Sequence, residues 1–244
     1  MIGKTVLIAG GGPVGLFCAL ILGRRGVDVR LFDLNDELQL DPRAATTHPA
    51  TLEVLAKEGL VDEMRDVGLV APIFQFWDRV TGDLVAEFDH AVLKADTEFA
   101  YVVQCEQFKT TAIFLAHLRK LPNVEVNFGH EVLGLEQNAD SVTITARVNG
   151  VEKKMRGDYL IGADGGRSAV RKACGIEFAG FTYPERFLVI TTPFDFEEQR
   201  GYCVRSYFAI PKSGATASKL QEMARRAFGA RCFPPIPPSI QRLF

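Results

Sequence analysis

The chain has 244 residues, of which 47% are hydrophobic and 24% are charged, and its formal net charge is -2. This composition is typical of a folded globular protein and argues against disorder or a collagen-like repeat. The small net charge gives no electrostatic support for nucleic acid or an anionic membrane as a partner. The sequence shows neither an apolar run of transmembrane length nor a signal-peptide pattern. We therefore expect a cytoplasmic protein that binds no membrane and no nucleic acid.

The five cysteines and four histidines are scattered along the chain. The cysteines are odd in number and form no C-x-x-C pair, which favours reduced thiols over a disulfide framework or a zinc knuckle. The histidines show no metal-ligand spacing either, so we expect no metal site.

The N-terminal segment predicts a strand, a helix and a second strand. Residues 5–9 form an apolar run bounded by glycines, residues 14–25 carry apolar side chains at helical spacing, and residues 28–33 alternate. Two parallel strands joined by a helix imply a right-handed crossover. The sequence therefore predicts a βαβ unit at the start of the chain.

The remaining elements mix helical and antiparallel patterns. Helices are predicted over residues 49–67 and 104–118, and a hairpin over residues 72–88 around the turn Thr81-Gly82-Asp83. Further strands are predicted at residues 124–128, 132–136, 142–148 and 159–163, and a second sheet begins at residues 187–194 and 202–208. This order predicts an α/β fold, in which a Rossmann-like domain with a parallel central sheet is interleaved with an antiparallel-sheet domain that is partly missing.

The turn after the first strand carries the pattern G-x-G-x-x-G. Gly10 allows a tight turn, Gly12 lets a pyrophosphate approach the backbone, and Gly15 permits close packing of the helix. Gly11 and Pro13 complete the loop, and the pyrophosphate is expected at the helix N-terminus. Asp33, at the end of the second strand, is placed to accept hydrogen bonds from the adenosine ribose. This pattern alone fits either NAD or FAD.

A second glycine motif starts at Gly162 and continues through Ala163, Asp164, Gly165 and Gly166 to Ser168 and Arg171. It resembles the D-G fingerprint of the FAD-dependent aromatic hydroxylases, which are single-component flavoprotein monooxygenases. The Pro42-Arg43-Ala44 segment and Gln104 match the same family. Within it, the chain most resembles the 3-(3-hydroxyphenyl)propionate hydroxylase branch, which acts on phenolic compounds. The resemblance covers roughly residues 4–208.

The resemblance implies an FAD-binding domain over residues 1–71 and 100–180 and a partial substrate domain over residues 72–99 and 181–208. It also implies that Arg43 and Gln104 approach the flavin or its phosphates, and that Asp164 contacts FAD. The predicted cofactor-binding residues are therefore Gly10, Gly11, Gly12, Pro13, Gly15, Asp33, Arg43, Gln104, Asp164 and Gly165. The implied reaction is hydroxylation of a small phenolic substrate with NAD(P)H as co-substrate and O2.

Several alternatives stay open at this stage. Arg43 also fits a solvated loop cation, Gln104 a residue at a helix start, and Asp164 an N-cap. No catalytic base is assigned; the candidates by residue type are Tyr101, His48, Tyr202, Tyr207 and Arg205. The chain could also be a truncated nucleotide-binding remnant without turnover or, from the first motif alone, an NAD-dependent dehydrogenase. A homo-oligomer is left open.

The C-terminal residues 209–244 differ from the rest of the chain. They contain six basic residues, a single acid and four prolines between Pro234 and Pro238. This composition favours an extended, solvated tail. The family's later G-D motif is missing, so we interpret the tail as the product of a truncation or frameshift; a basic segment that docks an acidic partner is the alternative.

Overall fold

The computed structural model describes residues 3–41, 43–182 and 193–209. Within them the chain divides into two compact units, Met1–Ala44 with Glu106–Ile190 and Ala45–Cys105 with Thr191–Phe244. The predicted domain boundaries placed residues 45–71 and 100–105 with the FAD-binding domain, whereas here they belong to the second unit. The division into an FAD-binding domain and a substrate domain stays a prediction.

The strands and helices of both units are numbered in chain order. The strands are β1 (Thr5–Ala9), β2 (Asp28–Phe32), β3 (Thr46–Thr47), β4 (Leu69–Ala71), β5 (Ile73–Asp78), β6 (Leu84–Asp89), β7 (Val102–Gln104), β8 (Val124–Asn127), β9 (His130–Gln137), β10 (Val142–Val148), β11 (Val151–Gly157), β12 (Tyr159–Gly162) and β13 (Ser206–Ala209). The helices are α1 (Pro13–Arg24), α2 (Pro49–Ala56), α3 (Val61–Val67), α4 (Gln107–Leu118), α5 (Ala169–Ala173) and α6 (Phe196–Arg200).

The first unit is built on a four-stranded parallel sheet in the order β12-β1-β2-β8. Strand β1, between β12 and β2, is a short, buried apolar run, as expected for a strand covered on both faces, whereas β8 and β12 are partly exposed. The antiparallel sheet β11-β10-β9 shares a core with it, in which Leu7 and Phe32 pack with Val142 and Ile144. Helices α1 and α4 pack together through Phe17 and Phe114, whose ring centroids are 5.3 Å apart. The predicted parallel central sheet is confirmed.

The second unit contains two three-stranded sheets, β3-β7-β4 and β13-β5-β6. The predicted hairpin is β5 and β6, and Gly82 in its turn has φ +78°. Strand β13 adds to β5 in parallel. The antiparallel pairs in these sheets and in β11-β10-β9 confirm the predicted combination of a parallel sheet with antiparallel sheets. Most of the predicted strand at 187–194 and nearly all of the basic tail at 209–244 lie outside the described residues.

Two helix predictions need correction. The helix expected over residues 49–67 is two helices, because Gly59 adopts φ +68° and ends α2 before α3 begins. The helix expected from Gln104 begins at Gln107. Gln104 itself closes strand β7, which pairs with β3 and β4. Strand β11 was not predicted, although the Asn149-Gly150 turn before it is a strong hairpin signal.

Candidate functional site

The two glycine motifs lie side by side in the first unit, at the carboxyl ends of neighbouring strands. Strand β1 leads into Gly10 and strand β12 leads into Ala163, and the Ala163 N–H donates to the Ala9 carbonyl at 2.7 Å. Gly10 has φ +105°, and an added Cβ would overlap the Ala163 carbonyl oxygen. Glycine is therefore required at position 10 for both backbone conformation and close approach. Segments more than 150 residues apart in the chain thus form one continuous site.

A cavity of about 710 Å³ opens at this edge of the parallel sheet. Residues that follow all four parallel strands line it: Gly10 after β1, Asp33 after β2, Phe128 after β8 and Ala163 after β12. Open α/β sheets bind ligands outside the carboxyl ends of their strands. The cavity therefore has the position of a nucleotide site, and its described lining belongs entirely to the first unit.

The glycine loop forms one wall of the cavity and leads directly into α1. Gly10, Gly11, Gly12 and Pro13 all line it. Pro13 is the first helical residue, where its missing N–H interrupts no helical hydrogen bond. No acidic side chain lies in the first turn of α1, so the helix N-terminus retains its attraction for a negative charge.

The three glycines of the first motif differ in what requires them. A Cβ on Gly15 would overlap the carbonyl oxygen of Gly10, so Gly15 lets α1 pack against the loop. A Cβ on Gly12 would meet no protein atom within 4 Å. Packing within the protein therefore accounts for Gly10 and Gly15 but not for Gly12, which is the N-cap of α1 and leaves the backbone open on the side of the cavity.

Asp33 fastens the glycine loop to the end of β2. Its Oδ2 accepts from the Gly11 N–H at 2.6 Å, and its Oδ1 accepts from the backbone and side-chain nitrogens of Asn35 at 2.9 and 2.8 Å. A carboxylate has about four acceptor sites. Three are used by the protein, which leaves one on Oδ2 for a ligand hydroxyl.

Asp164 combines a structural role with an unsatisfied atom. Its Oδ2 accepts from the N–H groups of Ala169 and Val170 at 2.7 and 3.1 Å, and thus caps α5 beside Ser168. Its Oδ1 is buried and has no hydrogen-bond partner among the residues that the structure describes. An unpaired buried oxygen is costly, so it indicates a missing donor. The cap was the structural alternative for this residue, and the free Oδ1 leaves the ligand role available as well.

The other predicted site residues have different positions. Gly165 has φ +75° and lines the cavity. Arg43 also lines it, is exposed, and lies 3.7 Å from the Asp41 carboxylate; Pro42 is outside the described residues. Gln104 belongs to the second unit, where its Oε1 accepts from the Thr46 hydroxyl at 3.0 Å. The cofactor roles of Arg43 and Gln104 stay predictions.

Sequence reasoning missed several residues of the cavity wall. Gln107 and Thr111 line it from the first turns of α4, and Arg167 adds a positive charge beside the second motif. His130 lies at the start of β9; its Nδ1 is 2.7 Å from the Phe128 carbonyl oxygen. Strand 124–128 was predicted, but its parallel pairing with β2 was not, and that pairing brings Phe128 and His130 to the cavity.

The side chains that are candidates for a catalytic base by residue type all lie in the second unit: Tyr101, His48, Tyr202, Tyr207 and Arg205. Partial burial lowers the pKa of His48, and its electrostatic interactions with Arg205 and then His90 lower it further. The Arg205 Nε–H donates to the Tyr207 hydroxyl at 2.8 Å, and Trp77 packs edge-on against Tyr202 at 4.9 Å between ring centroids. The lowered pKa disfavours the charged form of His48, and none of these contacts assigns a catalytic base.

The comparison with protein families gives a direct match. The model of the FAD binding domain family matches residues 4–226.

In the part of the chain that the structure describes, no helix is both long enough and apolar enough to cross a membrane.

Known relatives are aromatic monooxygenases. The chain is 33% identical over 217 residues to the para-nitrophenol 4-monooxygenase of Pseudomonas sp. (strain WBC-3), covering 89% of this chain and 53% of that protein. It is 35% identical over 187 residues to the 3-(3-hydroxy-phenyl)propionate/3-hydroxycinnamic acid hydroxylase of Mycobacterium sp. (strain JLS), covering 76% of this chain and 32% of that protein. The chain thus spans about half the length of the first of these relatives and a third of the second.

Solved structures agree with these relatives. The p-nitrophenol 4-monooxygenase PnpA from Pseudomonas putida DLL-E4 superposes with a TM-score of 0.77 at 30% sequence identity. The match covers 95% of this chain and 65% of that protein. The similarity to the phenol-type hydroxylases predicted from the D-G motif is confirmed.

Proposed function

The chain belongs to the FAD binding domain family, and we propose that the protein is an FAD-dependent monooxygenase that hydroxylates a phenolic aromatic substrate with NAD(P)H and O2. The junction of the two glycine motifs at one cavity carries this proposal. Relatives named as monooxygenases of nitrophenol and of hydroxyphenylpropionate support the reaction class. An NAD-dependent dehydrogenase is not favoured by any relative described above.

The residues present fit FAD on two independent observations. Gly12 lines the cavity without any packing reason to lack a side chain. The buried Oδ1 of Asp164 also lacks a donor among the described residues. To hold a flavin dinucleotide, a site needs a backbone that the pyrophosphate can approach closely. It also needs a carboxylate that accepts a hydrogen bond from a hydroxyl of the cofactor.

Each part of the cavity wall has a distinct task in this proposal. The loop from Gly10 to Gly12 and the N-terminus of α1 hold the pyrophosphate, and the remaining acceptor site of Asp33 holds a ribose hydroxyl. Asp164 accepts from a further hydroxyl through Oδ1. Arg43 supplies a positive charge for a phosphate, and Gln104 is proposed, by family resemblance, to approach the flavin. Bound FAD supplies the electron transfer and oxygen activation that amino-acid side chains lack.

The sheet β13-β5-β6 supplies an aromatic surface for the substrate ring. Phe74 on β5 stacks on Phe88 of β6 at 4.5 Å between ring centroids, and Phe76 stacks on Tyr207 of β13 at 5.1 Å. Phe74 and Phe76 are two residues apart and therefore project from the same face of the sheet. This aromatic face would exclude water from an aromatic substrate and orient its ring.

The proposal is tested by turnover of the purified protein with bound FAD. We expect NAD(P)H oxidation under air to be stimulated by 4-nitrophenol or 3-(3-hydroxyphenyl)propionate, with label from heavy-oxygen O2 appearing in the ring product. Hydrogen peroxide is measured in parallel, because uncoupled oxidation consumes NAD(P)H without hydroxylating the ring. A flavin-loaded protein that incorporates no label from any phenol would refute the proposal, and the chain would then be a cofactor-binding remnant.

We also propose a cytoplasmic location, because the four cysteines in the described residues are free thiols and suit a reducing compartment. A homo-oligomer stays open, and gel filtration with light scattering measures it directly.

A further inference from the structure

The turn between β8 and β9 is fastened to the end of β2. The Gly129 N–H donates to the Asn35 carbonyl at 2.8 Å, and the His130 N–H donates to the Asp33 carbonyl at 2.7 Å. These two bonds hold His130 beside the carboxyl end of β2, where the Asp33 side chain holds the glycine loop. His130 and Asp33 both line the cavity. A ligand that contacts the Asp33 carboxylate therefore lies next to the imidazole.

One hydrogen bond fixes the tautomer of the His130 ring. Its Nδ1 is 2.7 Å from the Phe128 carbonyl oxygen, which can only accept, so Nδ1 carries a hydrogen. The half-buried ring also packs against that of Phe32, at 5.8 Å between ring centroids. In the neutral imidazole Nε2 is then an acceptor, and no residue in the described part of the chain donates to it. The cavity wall thus contains an oriented ring with one unused acceptor.

The order of the parallel sheet indicates which part of a dinucleotide reaches this ring. Strands β1, β2 and β8 are neighbours in that order. The glycine loop follows β1, Asp33 follows β2, and the turn that carries His130 follows β8. With the pyrophosphate at the glycine loop and the adenosine ribose at Asp33, the base extends beyond the ribose and toward the end of β8. His130 therefore lies at the adenine end of the cavity.

The neighbouring acid on β9 is directed elsewhere. Glu131 follows His130 in the strand, and consecutive side chains of a strand project from opposite faces of the sheet. Its Oε2 accepts from the Arg147 side chain of β10 at 2.8 Å. The carboxylate of Glu131 is thus held on the other face by an ion pair, and His130 supplies an acceptor on the face that packs against Phe32.

We propose that Nε2 of His130 accepts a hydrogen bond from the exocyclic amine of adenine and thereby selects that base in the cofactor. The inference rests on the proposed function in that the dinucleotide is FAD. Adenine has an N–H donor at this position, whereas hypoxanthine has a carbonyl oxygen. An acceptor on the protein attracts the first base and is left unpaired by the second. His130 is a specificity-determining residue here and takes no part in the reaction.

The experiment compares two cofactors on protein that has been stripped of flavin. One is FAD, and the other is flavin hypoxanthine dinucleotide, which differs from FAD only by an oxygen in place of the exocyclic amine. Both are titrated by flavin fluorescence at pH 8, which favours the neutral imidazole. We expect the wild-type protein to bind FAD about tenfold more tightly than the analogue, as for loss of one hydrogen bond that leaves an acceptor unpaired.

The variants are His130→Ala, His130→Gln and the matched control His117→Ala. His117 lies on α4 in the same unit and does not line the cavity. His130→Ala should bind FAD about five- to tenfold more weakly than wild type and should bind the two dinucleotides equally. His130→Gln should retain most of the affinity but lose the preference, because its amide can accept from an amine or donate to a carbonyl. His117→Ala should retain both.

Thermal unfolding of each stripped variant shows whether it is folded. A folded His130→Ala protein that still prefers FAD overturns the inference, because another group would then recognise the amine. Equal binding of the two dinucleotides by wild type overturns it as well, as does loss of the preference in His117→Ala. Failure of the proposed function looks different, because selection of the base would still depend on His130 while no oxygen entered a phenol ring.

Discussion

Replacing Gly12 with alanine tests whether the glycine loop is shaped for a ligand. Gly12 lines the cavity, has φ -73° and ψ -178°, and an added Cβ would meet no protein atom within 4 Å. At an N-cap, glycine is better than alanine by up to about 1 kcal/mol. Alanine in turn restricts the unfolded chain, which stabilises the protein by about 0.4–1 kcal/mol. Since these effects offset each other, we expect the free energy of unfolding without FAD to change by less than about 0.5 kcal/mol.

FAD affinity should respond differently, because the new methyl group occupies the space in which a pyrophosphate approaches the backbone. Loss of one charged hydrogen bond corresponds to about 1.5–3 kcal/mol, or about a ten- to hundredfold rise in Kd. The assay strips FAD from the protein, titrates it back by flavin fluorescence, and measures urea unfolding of the stripped form. Wild-type FAD affinity together with unchanged stability would refute the reasoning.

Gly134→Ala is the matched control for this substitution. Gly134 lies on β9 in the same unit but does not itself line the cavity, and a Cβ there also meets nothing within 4 Å. We expect its FAD affinity to equal that of wild type. Loss of affinity in both variants would point to a general effect of added methyl groups.

Three further substitutions separate packing, cofactor binding and charge. Gly15→Ala should destabilise the FAD-free protein by at least about 2 kcal/mol, because its Cβ overlaps the Gly10 carbonyl; an unchanged urea midpoint would contradict this. Asp164→Asn keeps an oxygen for the α5 cap but replaces the acceptor Oδ1 by a donor. FAD titration should show about a tenfold loss of affinity, with the free energy of unfolding lowered by under about 1 kcal/mol. FAD affinity equal to that of wild type would argue against the role of Oδ1. The side-chain hydrogen bond from Lys4, followed by that from the Thr5 N–H, lowers the pKa of Asp158. Its stabilisation is therefore present above the ordinary aspartate pKa of about 3.9 and lost as the pH falls through the lower folded value. Asp158→Asn should lower Tm at neutral pH, with the difference closing in strong acid; a gap that persists there would rule out this origin.

The parts of the fold set by local signals were predictable. Strand β1, helix α1 and strand β2 agree with the prediction to within a residue at each end, because a buried apolar run, a glycine turn and helical spacing follow each other directly. The break between α2 and α3 was missed, although Gly59 carries the signal for it. A glycine inside a helical pattern is tolerated or terminates the helix, and tertiary packing decides which.

Strand pairing, over long range for Gln104 and across one turn for β11, accounts for the other errors. Gln104 has helical neighbours in sequence, yet hydrogen bonds from β3 and β4 make its segment a strand. Strand β11 is largely charged and exposed, so its pattern hid a strand that pairs along the full length of β10. Both cases depend on partners that are distant or follow a turn, and propensity alone does not identify such partners.

The same limit applies to the candidate site. The glycines and Asp33 were identified because strand, glycine turn, helix and terminal acid follow one another directly in the chain and form a recognisable motif. Phe128, His130 and Gln107 reach the cavity because strands and helices from other parts of the chain bring them there. No motif marks them, and only the order of the parallel sheet reveals their position.

The hydrogen bonds of Asp33 have a consequence for how a cofactor would be taken up. Because Gly11 is tied to the end of β2 within the protein itself, the phosphate-binding turn acquires its shape during folding and does not need a ligand to order it. Cofactor binding would then cost little backbone conformational entropy, and affinity would depend chiefly on groups that are already in position. In the proposed binding mode, the carboxylate that holds the turn would also face the ribose, and a nucleotide carrying an additional phosphate there would be repelled. Asp33 would then both fix the turn and select the charge of the adenosine end of the cofactor.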